Sequence, residues 1–495
     1  MAKIAIIGSG IGGLSLAVRL KALGHEIDVF EKNAYPGGKL NEKLISSNPS
    51  RTYRFDRGPS LFTMPENIEE LFLLSNNPIK PYFSYIPLEI LCSYFWEDGT
   101  KIKAHRNKEK FIKELQSTLG ENRDTIEKYL KKNKKNLELT SPVFLEQSLH
   151  VASNYFNIKT LKAILRIPNL NLFTSMNRVN AETFSNPKTV QFFNRFATYN
   201  GSNPYKAPGL LNVISALEIE KGAYYPTGGM YSITKSIFDL GKHMGINYHF
   251  NSAVDEVIIE ENKVKGVKIN GFSTSHEIVV SNADIHHTYK KLMKNKFSNE
   301  KVLNREKSSS AIIFYWGIKK SFNELGLHNI FFTHNYKEEF ESIFEKRKLY
   351  SDPTIYLNIT SKYSTEDAPE NCENWFVMIN TPNYDGYDSK AMVEEARMVI
   401  LEKLKRNLKI DIEKLIEVEE VLSPQTIEME TSSYKGSLYG NASNGRNEAF
   451  FRQANFHNKI KGLYFCGGSV HPGGGIPLAM LSAKITSELI KKREC

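Results

Sequence analysis

Lys3-Ile4-Ala5-Ile6-Ile7-Gly8-Ser9-Gly10-Ile11-Gly12-Gly13 opens the chain, a β-branched run that breaks into glycine. The run predicts a buried strand. Leu14, Ala17, Val18 and Leu20 then recur at helical spacing, and Gly24 marks the stop. A second strand follows over Ile27–Phe30 and ends at Glu31. The turn fits G-x-G-x-x-G. Its first glycine, Gly8, permits the tight turn, and Gly10 lets a pyrophosphate approach the backbone. Gly13 lets the helix pack on the sheet with its first N–H groups facing the anion. Glu31, 18 residues after Gly13, stands where a carboxylate accepts from ribose hydroxyls. An acid there disfavours a 2′-phosphate, so NADP fits poorly. Strand, turn, helix and acid agree on a dinucleotide site. The following Pro36-Gly37-Gly38-Lys39 supplies a second close backbone approach and a cation for a diphosphate, which a simple NAD site does not need.

Working outward, the 495 residues are enough for about three domain-sized units. With 41% hydrophobic and 24% charged residues, the composition excludes disordered and collagen-like classes. The net charge of +10 is compatible with an anionic surface, but acids and bases interleave over Lys108–Glu114 and Glu394–Lys405, as on a solvated face. No nucleic-acid partner is expected. Four cysteines, Cys92, Cys372, Cys466 and Cys495, form no CxxC pair, so neither a disulfide framework nor a thiolate metal site is expected. The apolar stretch from Ile4 is broken by glycines and Arg19, which argues against a spanning helix or signal peptide. A cytoplasmic protein with peripheral contact to the inner face of a membrane is the expectation.

Further along, residues 107–137 read as a charged helical stretch. Ala253–Ile269 reads as a hairpin turning at Glu260–Lys263, and Ile278–Ser281 as a strand. Ala311–Trp316, Thr354–Ile359 and Trp375–Ile379 read as strands of a second, mixed sheet. Gly462–Cys466 is a last buried strand and Ile476–Leu489 a final helix.

The N-terminal turn and Gly37-Gly38-Lys39 are followed by Phe55-Asp56-Arg57-Gly58-Pro59-Ser60 and Tyr224-Tyr225-Pro226-Thr227-Gly228-Gly229-Met230. The motifs continue through Val279-Val280-Ser281-Asn282-Ala283-Asp284, His328-Asn329-Ile330-Phe331-Phe332 and Asp352-Pro353-Thr354-Ile355-Tyr356. The last is Tyr464-Phe465-Cys466-Gly467-Gly468-Ser469-Val470-His471-Pro472-Gly473-Gly474-Gly475-Ile476-Pro477. Together they resemble the bacterial carotenoid (phytoene) desaturases, within the wider group of flavin amine-oxidase-like proteins.

The resemblance implies an α/β fold: a discontinuous Rossmann-like FAD domain over 1–75, 225–290 and 425–495, with an α+β substrate and membrane-contact domain over 76–224 and 291–424. It implies FAD as cofactor, with Gly8, Ser9, Gly10, Gly12, Gly13, Glu31, Lys39, Gly58, Pro59, Ser60, Val254, Gly468 and Ile476 at cofactor-binding positions. Lys39 departs from the commoner Arg and loses the bidentate fork. The implied reaction places a C=C bond in a polyene by hydride transfer to flavin, electrons passing on to oxygen or a membrane quinone. The Phe-, Leu- and Ile-rich stretch Phe144–Phe196 suits either an apolar tunnel or an ordinary helical core.

No catalytic acid or base stands out. His471 beside the flavin motif is one candidate, and a structural histidine is the other reading of it. Within the family, Gly58-Pro59-Ser60-Leu61-Phe62-Thr63-Met64-Pro65 and Gly436-Ser437-Leu438-Tyr439-Gly440 resemble the subgroup acting on the 3,4 bond of 1-hydroxycarotenoids. Phytoene or diapophytoene desaturation, terminal oxidation or isomerisation, amine oxidation and idle carotenoid binding remain as alternatives.

Overall fold

The computed structural model describes all residues except 157–159, 161–165, 167–169, 295–296, 446–447, 449–450 and 495. The N-terminal run forms the strand Lys3–Ile7, the central member of a five-stranded parallel sheet. Ile278–Ser281 and then Leu463–Phe465 lie on one side of it, Glu26–Phe30 and then Asn247–His249 on the other. A strand buried on both faces needs apolar residues at consecutive positions, which Ile4-Ala5-Ile6-Ile7 supplies. The helix Ile11–Ala22 covers one face and packs against the C-terminal helix Ile476–Glu494. Leu14, Val18, Met480 and Ile490 share that core. Sequence-distant parts of the chain thus meet beside the glycine turn.

The hairpin runs Val254–Glu260 and Lys263–Ile269, with Glu261 and Asn262 at φ 47° and 59° in the turn. A third strand, Phe272–Ser275, joins it.

The second sheet has seven strands, ordered Ile416–Leu422, Ser310–Ile318, Glu373–Thr381, Ile355–Ile359, His328–Phe331, Ile90–Phe95 and Lys101–His105. It is mixed, because His328–Phe331 pairs with Ile90–Phe95 in parallel and every other neighbour is antiparallel. Ser310–Ile318 is wholly buried, and its period of two divides its side chains between two cores. Ile312, Phe314 and Trp316 pack under the helix Ser389–Leu408, and Ile313 and Tyr315 pack on the opposite face. Trp316 lies directly across from Trp375, both fully buried with their indole N–H groups donated to Glu419 and Glu373. Each ring contributes roughly 2–3 kcal/mol of burial free energy.

The charged stretch expected to be helical over 107–137 forms two helices, Lys108–Leu119 and Arg123–Phe144. Gly120, at φ 70°, closes the first, and the Asn122 side chain accepts from the Thr125 N–H to start the second. Within Phe144–Phe196, the helices Met176–Thr183 and Pro187–Asn194 are present, while 157–159, 161–165 and 167–169 lie outside the described residues. Phe192, Phe193 and Phe196 belong to a packed core, whereas Phe156 and Phe173 are 89% and 73% exposed. Among the described residues no helix is long and apolar enough to cross a membrane.

Candidate functional site

A cavity of about 720 Å³ runs from the glycine turn to the face of the seven-stranded sheet. At one end its walls are backbone. Gly8 has φ 95° and donates its N–H to the Phe30 carbonyl. A Cβ on Gly13 would stand 2.2 Å from the Gly8 carbonyl oxygen, and one on Gly12 would stand 2.7 Å from Asn282 Oδ1. Gly10 begins the helix with no side-chain cap, and the first turn holds no acid. Its free N–H groups and the positive end of the helix dipole therefore face the cavity, the setting an anion requires.

Glu31 is fixed by three short hydrogen bonds. Its Oε2 accepts from the Ser9 N–H and hydroxyl, both at 2.9 Å, and its Oε1 accepts from the Asn33 N–H at 2.9 Å. The second glycine pair closes on the first, since Gly37 donates its N–H to the Ser9 carbonyl. Gly58 has φ 107°, and a Cβ there would stand 2.1 Å from the Lys39 carbonyl. Pro59 and Ser60 line the cavity beyond it, as do Val254, Gly468 and Ile476. The structure thus brings every cofactor-site candidate to this end of one cavity, except that Ser9 and Gly13 stand behind its lining.

Lys39 has a more specific setting than its sequence suggests. It lines the cavity, but its Nζ donates to the carbonyls of Ser437 and Leu438, both at 3.0 Å. Burial lowers its pKa to about 8, against the pull of Asp284. Its ammonium ties the C-terminal segment down and has one remaining donor. Asp56 accepts from the N–H groups of Met230 and Tyr231 at the start of the helix Tyr231–His243, and Arg57 pairs with Glu430. Both are scaffold.

His471 lines the cavity but is held by Gln147, whose carbonyl lies 2.9 Å from its Nε2. Burial lowers its pKa to about 4, so the neutral ring donates its Nε2 proton to that carbonyl. The structural reading of His471 is the one this geometry supports.

Asn282, within the Val279–Asp284 motif, belongs to the cradle, which its sequence position alone does not show. Its amide donates to the Gly8 carbonyl at 3.3 Å and packs beneath Gly10, Gly12 and Gly467. At the far end, the cavity wall carries a buried polar cluster that sequence reasoning missed. The Arg195 guanidinium donates to the hydroxyls of Tyr94 at 2.7 Å and Tyr199 at 3.1 Å, and lies 3.9 Å from the buried Glu218 carboxylate. The Tyr199 hydroxyl donates to Glu218. Beside this pair, the Tyr356 hydroxyl bridges Ser60 Oγ at 2.6 Å and His328 Nδ1 at 2.8 Å. Apolar residues complete the chamber, among them Leu137, Leu210, Ile214, Leu217, Ile330 and Phe340.

The residues fit a flavin dinucleotide: a backbone cradle that side chains would fill, a free helix N-terminus for a diphosphate, and a preorganised carboxylate. Comparison with known proteins agrees. The chain is 50% identical over 490 residues to a 1-hydroxycarotenoid 3,4-desaturase from Flavobacterium sp., covering 99% of both chains. It is 30% identical over 494 residues to a 4,4'-diapolycopene oxygenase from Methylomonas sp., covering 99% of this chain and 98% of that one. In fold it is similar to an oxidoreductase from Methanosarcina mazei, with a TM-score of 0.63 at 17% identity over 99% of this chain and 100% of that one. Residues 11–491 match the family model described as flavin containing amine oxidoreductase. A parallel sheet carrying a glycine cradle, a mixed sheet closing the chamber above it, and a match along nearly the whole chain lead to one conclusion: this protein belongs to the flavin-containing amine oxidoreductase family.

Proposed function

We propose that this protein is an FAD-dependent carotenoid desaturase that introduces the 3,4 double bond of a 1-hydroxycarotenoid. One observation carries the reading: a single cavity joins a dinucleotide cradle to a chamber walled by aliphatic and aromatic side chains. A polyene needs such a chamber, since it offers almost nothing but apolar surface and each buried CH₂ stabilises by roughly 0.8 kcal/mol. The relative of half-identical sequence, matched end to end, is named for this substrate class and supports the choice of bond.

FAD, when bound, supplies the acceptor for the hydride leaving the polyene. In this reading Gly8, Gly10, Gly12 and Gly13 clear space for its diphosphate, with Ser9 holding Glu31 for the ribose. Lys39, Gly58, Pro59 and Ser60 form the second clamp, Val254 meets the adenine end, and Gly468 and Ile476 meet the flavin end. The segments 1–75, 225–290 and 425–495 serve the cofactor, and 76–224 with 291–424 serve the substrate. Leu210, Ile214, Leu217 and Phe340 exclude water and hold the polyene against the cofactor. Exposed Phe156 and Phe173 suit contact with a membrane from which the carotenoid is drawn, and oxygen or a membrane quinone suits the role of electron acceptor.

The test is an anaerobic assay of the FAD-loaded protein in liposomes offering a 1-hydroxycarotenoid and phytoene together. Loss of two hydrogens and a red shift in the hydroxycarotenoid alone is the expected result. Conversion of phytoene instead overturns the choice of substrate, and bleaching only by an amine overturns carotenoid chemistry altogether.

A further inference from the structure

His328 stands on the strand His328–Phe331, 4% exposed, and is one of the residues lining the cavity; its Nε2 is buried and has no hydrogen-bond partner. Its other nitrogen settles which atom carries the proton. Asn358, paired with His328 in strand register, donates its amide Nδ2 to the Leu327 carbonyl at 3.0 Å, which orients the amide. The same Nδ2 faces His328 Nδ1 at 3.1 Å, so Nδ1 accepts. A neutral ring with Nδ1 accepting holds its proton on Nε2. Burial and the neighbouring Arg195 charge keep the ring neutral, with its pKa lowered to about 3. The result is a buried N–H donor with no acceptor from the chain, and such an orphan within a satisfied network calls for an acceptor from outside it.

Two neighbours have the same lack. Arg195 Nε and the Tyr336 hydroxyl are also buried without partners, on residues that line the same cavity, and the Arg195 charge is felt at both His328 and Tyr336. The Arg195 charge is already balanced by Glu218. The cluster therefore offers hydrogen-bond donors without a net demand for an anion, which suits a neutral oxygen. His328 is also close to the cofactor clamp, being joined to Ser60 through the single hydroxyl of Tyr356.

We propose that His328 Nε2 donates a hydrogen bond to the hydroxyl oxygen of the substrate and selects the hydroxylated polyene end over a hydrocarbon end. The proposal rests on the desaturase reading above and deepens it. In a 1-hydroxycarotenoid, the 3,4 bond begins two carbon–carbon bonds from the carbon bearing the oxygen. An oxygen anchored at His328 therefore places that bond within a few ångströms, beside Ser60 and the clamp. Hydroxyl recognition and bond selection are one geometric event.

The experiment compares FAD-loaded wild type, His328→Asn and His328→Gln with two polyenes, a 1-hydroxycarotenoid and the same chain lacking the hydroxyl. Asn reaches only the Nδ1 position, whereas the Gln amide reaches the Nε2 position. The readout is the ratio of kcat/KM for the two polyenes, which does not depend on the fraction of folded enzyme. The wild-type preference for the hydroxylated polyene is expected to fall about tenfold in H328N and to persist in H328Q. An unchanged ratio in H328N overturns the proposal, as does equal loss in both variants.

A second arm measures, by visible absorption shift, binding of the 3,4-didehydro products with and without the hydroxyl to oxidised holoenzyme. If the wild type converts only phytoene, the desaturase substrate reading fails. The binding arm then still decides the anchor: tighter binding of the hydroxylated product, lost in H328N, sustains it, and equal binding overturns it.

Discussion

At the glycine-turn end of the cavity, the contacts that set its shape are made by backbone. Gly8 bonds Phe30, Gly37 bonds Ser9, and a Cβ on Gly13 would overlap the Gly8 carbonyl. At the other end the shape is made by side chains: Arg195 with Tyr94, Tyr199 and Glu218, and His328 with Tyr356 and Asn358. A backbone cradle recognises what all dinucleotides share and tolerates almost no added atom. A side-chain wall is adjustable one residue at a time, and this is where related proteins with different polyenes have room to differ.

The comparison is broken most severely at Gly13. Gly13→Val puts its Cβ within 2.2 Å of the Gly8 carbonyl, a clash that only movement of the helix from the sheet relieves. The purified variant is expected to be colourless and to release no flavin on denaturation. Gly326→Ala is the control, because its Cβ meets nothing nearer than Ser93 Oγ at 3.7 Å. Flavin retained by G13V at wild-type occupancy contradicts the backbone account of the cradle.

At the wall, loss is graded. Arg195→Met leaves the Glu218 carboxylate buried without its cation and is expected to cost about 3–5 kcal/mol of stability. The double variant R195M/E218L removes both charges and is expected to recover much of that loss. Denaturant midpoints of the flavin-loaded proteins check this. A double variant less stable than R195M would mean that the pair is not held by mutual charge balance.

The smallest effect is one of pH. An unfolded histidine titrates near 6.5, whereas burial holds folded His328 to about 3. Between these values the unfolded chain binds more protons. The contribution of neutral His328 is therefore complete above pH 6.5 and drains as pH falls towards 3, by at most about 1.4 kcal/mol per unit. The stability difference between wild type and H328N is expected to shift against the wild type from pH 7 to pH 5. A difference that stays constant over that interval shows that His328 is not held neutral.

The cradle was legible because it is local. Lys3–Gly13 and Glu31 lie within one strand–turn–helix–strand unit, and the turn's geometry demands glycine where the chain has it. The helical pattern over 107–137 was legible, but the break at Gly120, whose positive φ ends one helix inside a continuous charged pattern, was not. The sequence places Lys39 close behind the glycine turn, but its carbonyl partners Ser437 and Leu438 are nearly 400 residues away in sequence. Of the wall, His328 and Tyr356 sat in motifs quoted for their likeness to a family. Their meeting depends on the register that sets His328 opposite Asn358.

The sequence by itself determined the α/β class, the dinucleotide turn and the family, because consecutive residues constrain one another's backbone through sterics and hydrogen bonding. Only the tertiary structure decided which polar groups face the chamber. Burial, strand register and the loss of water around Arg195, Glu218 and His328 exist only after the parts of the chain that carry them have come together.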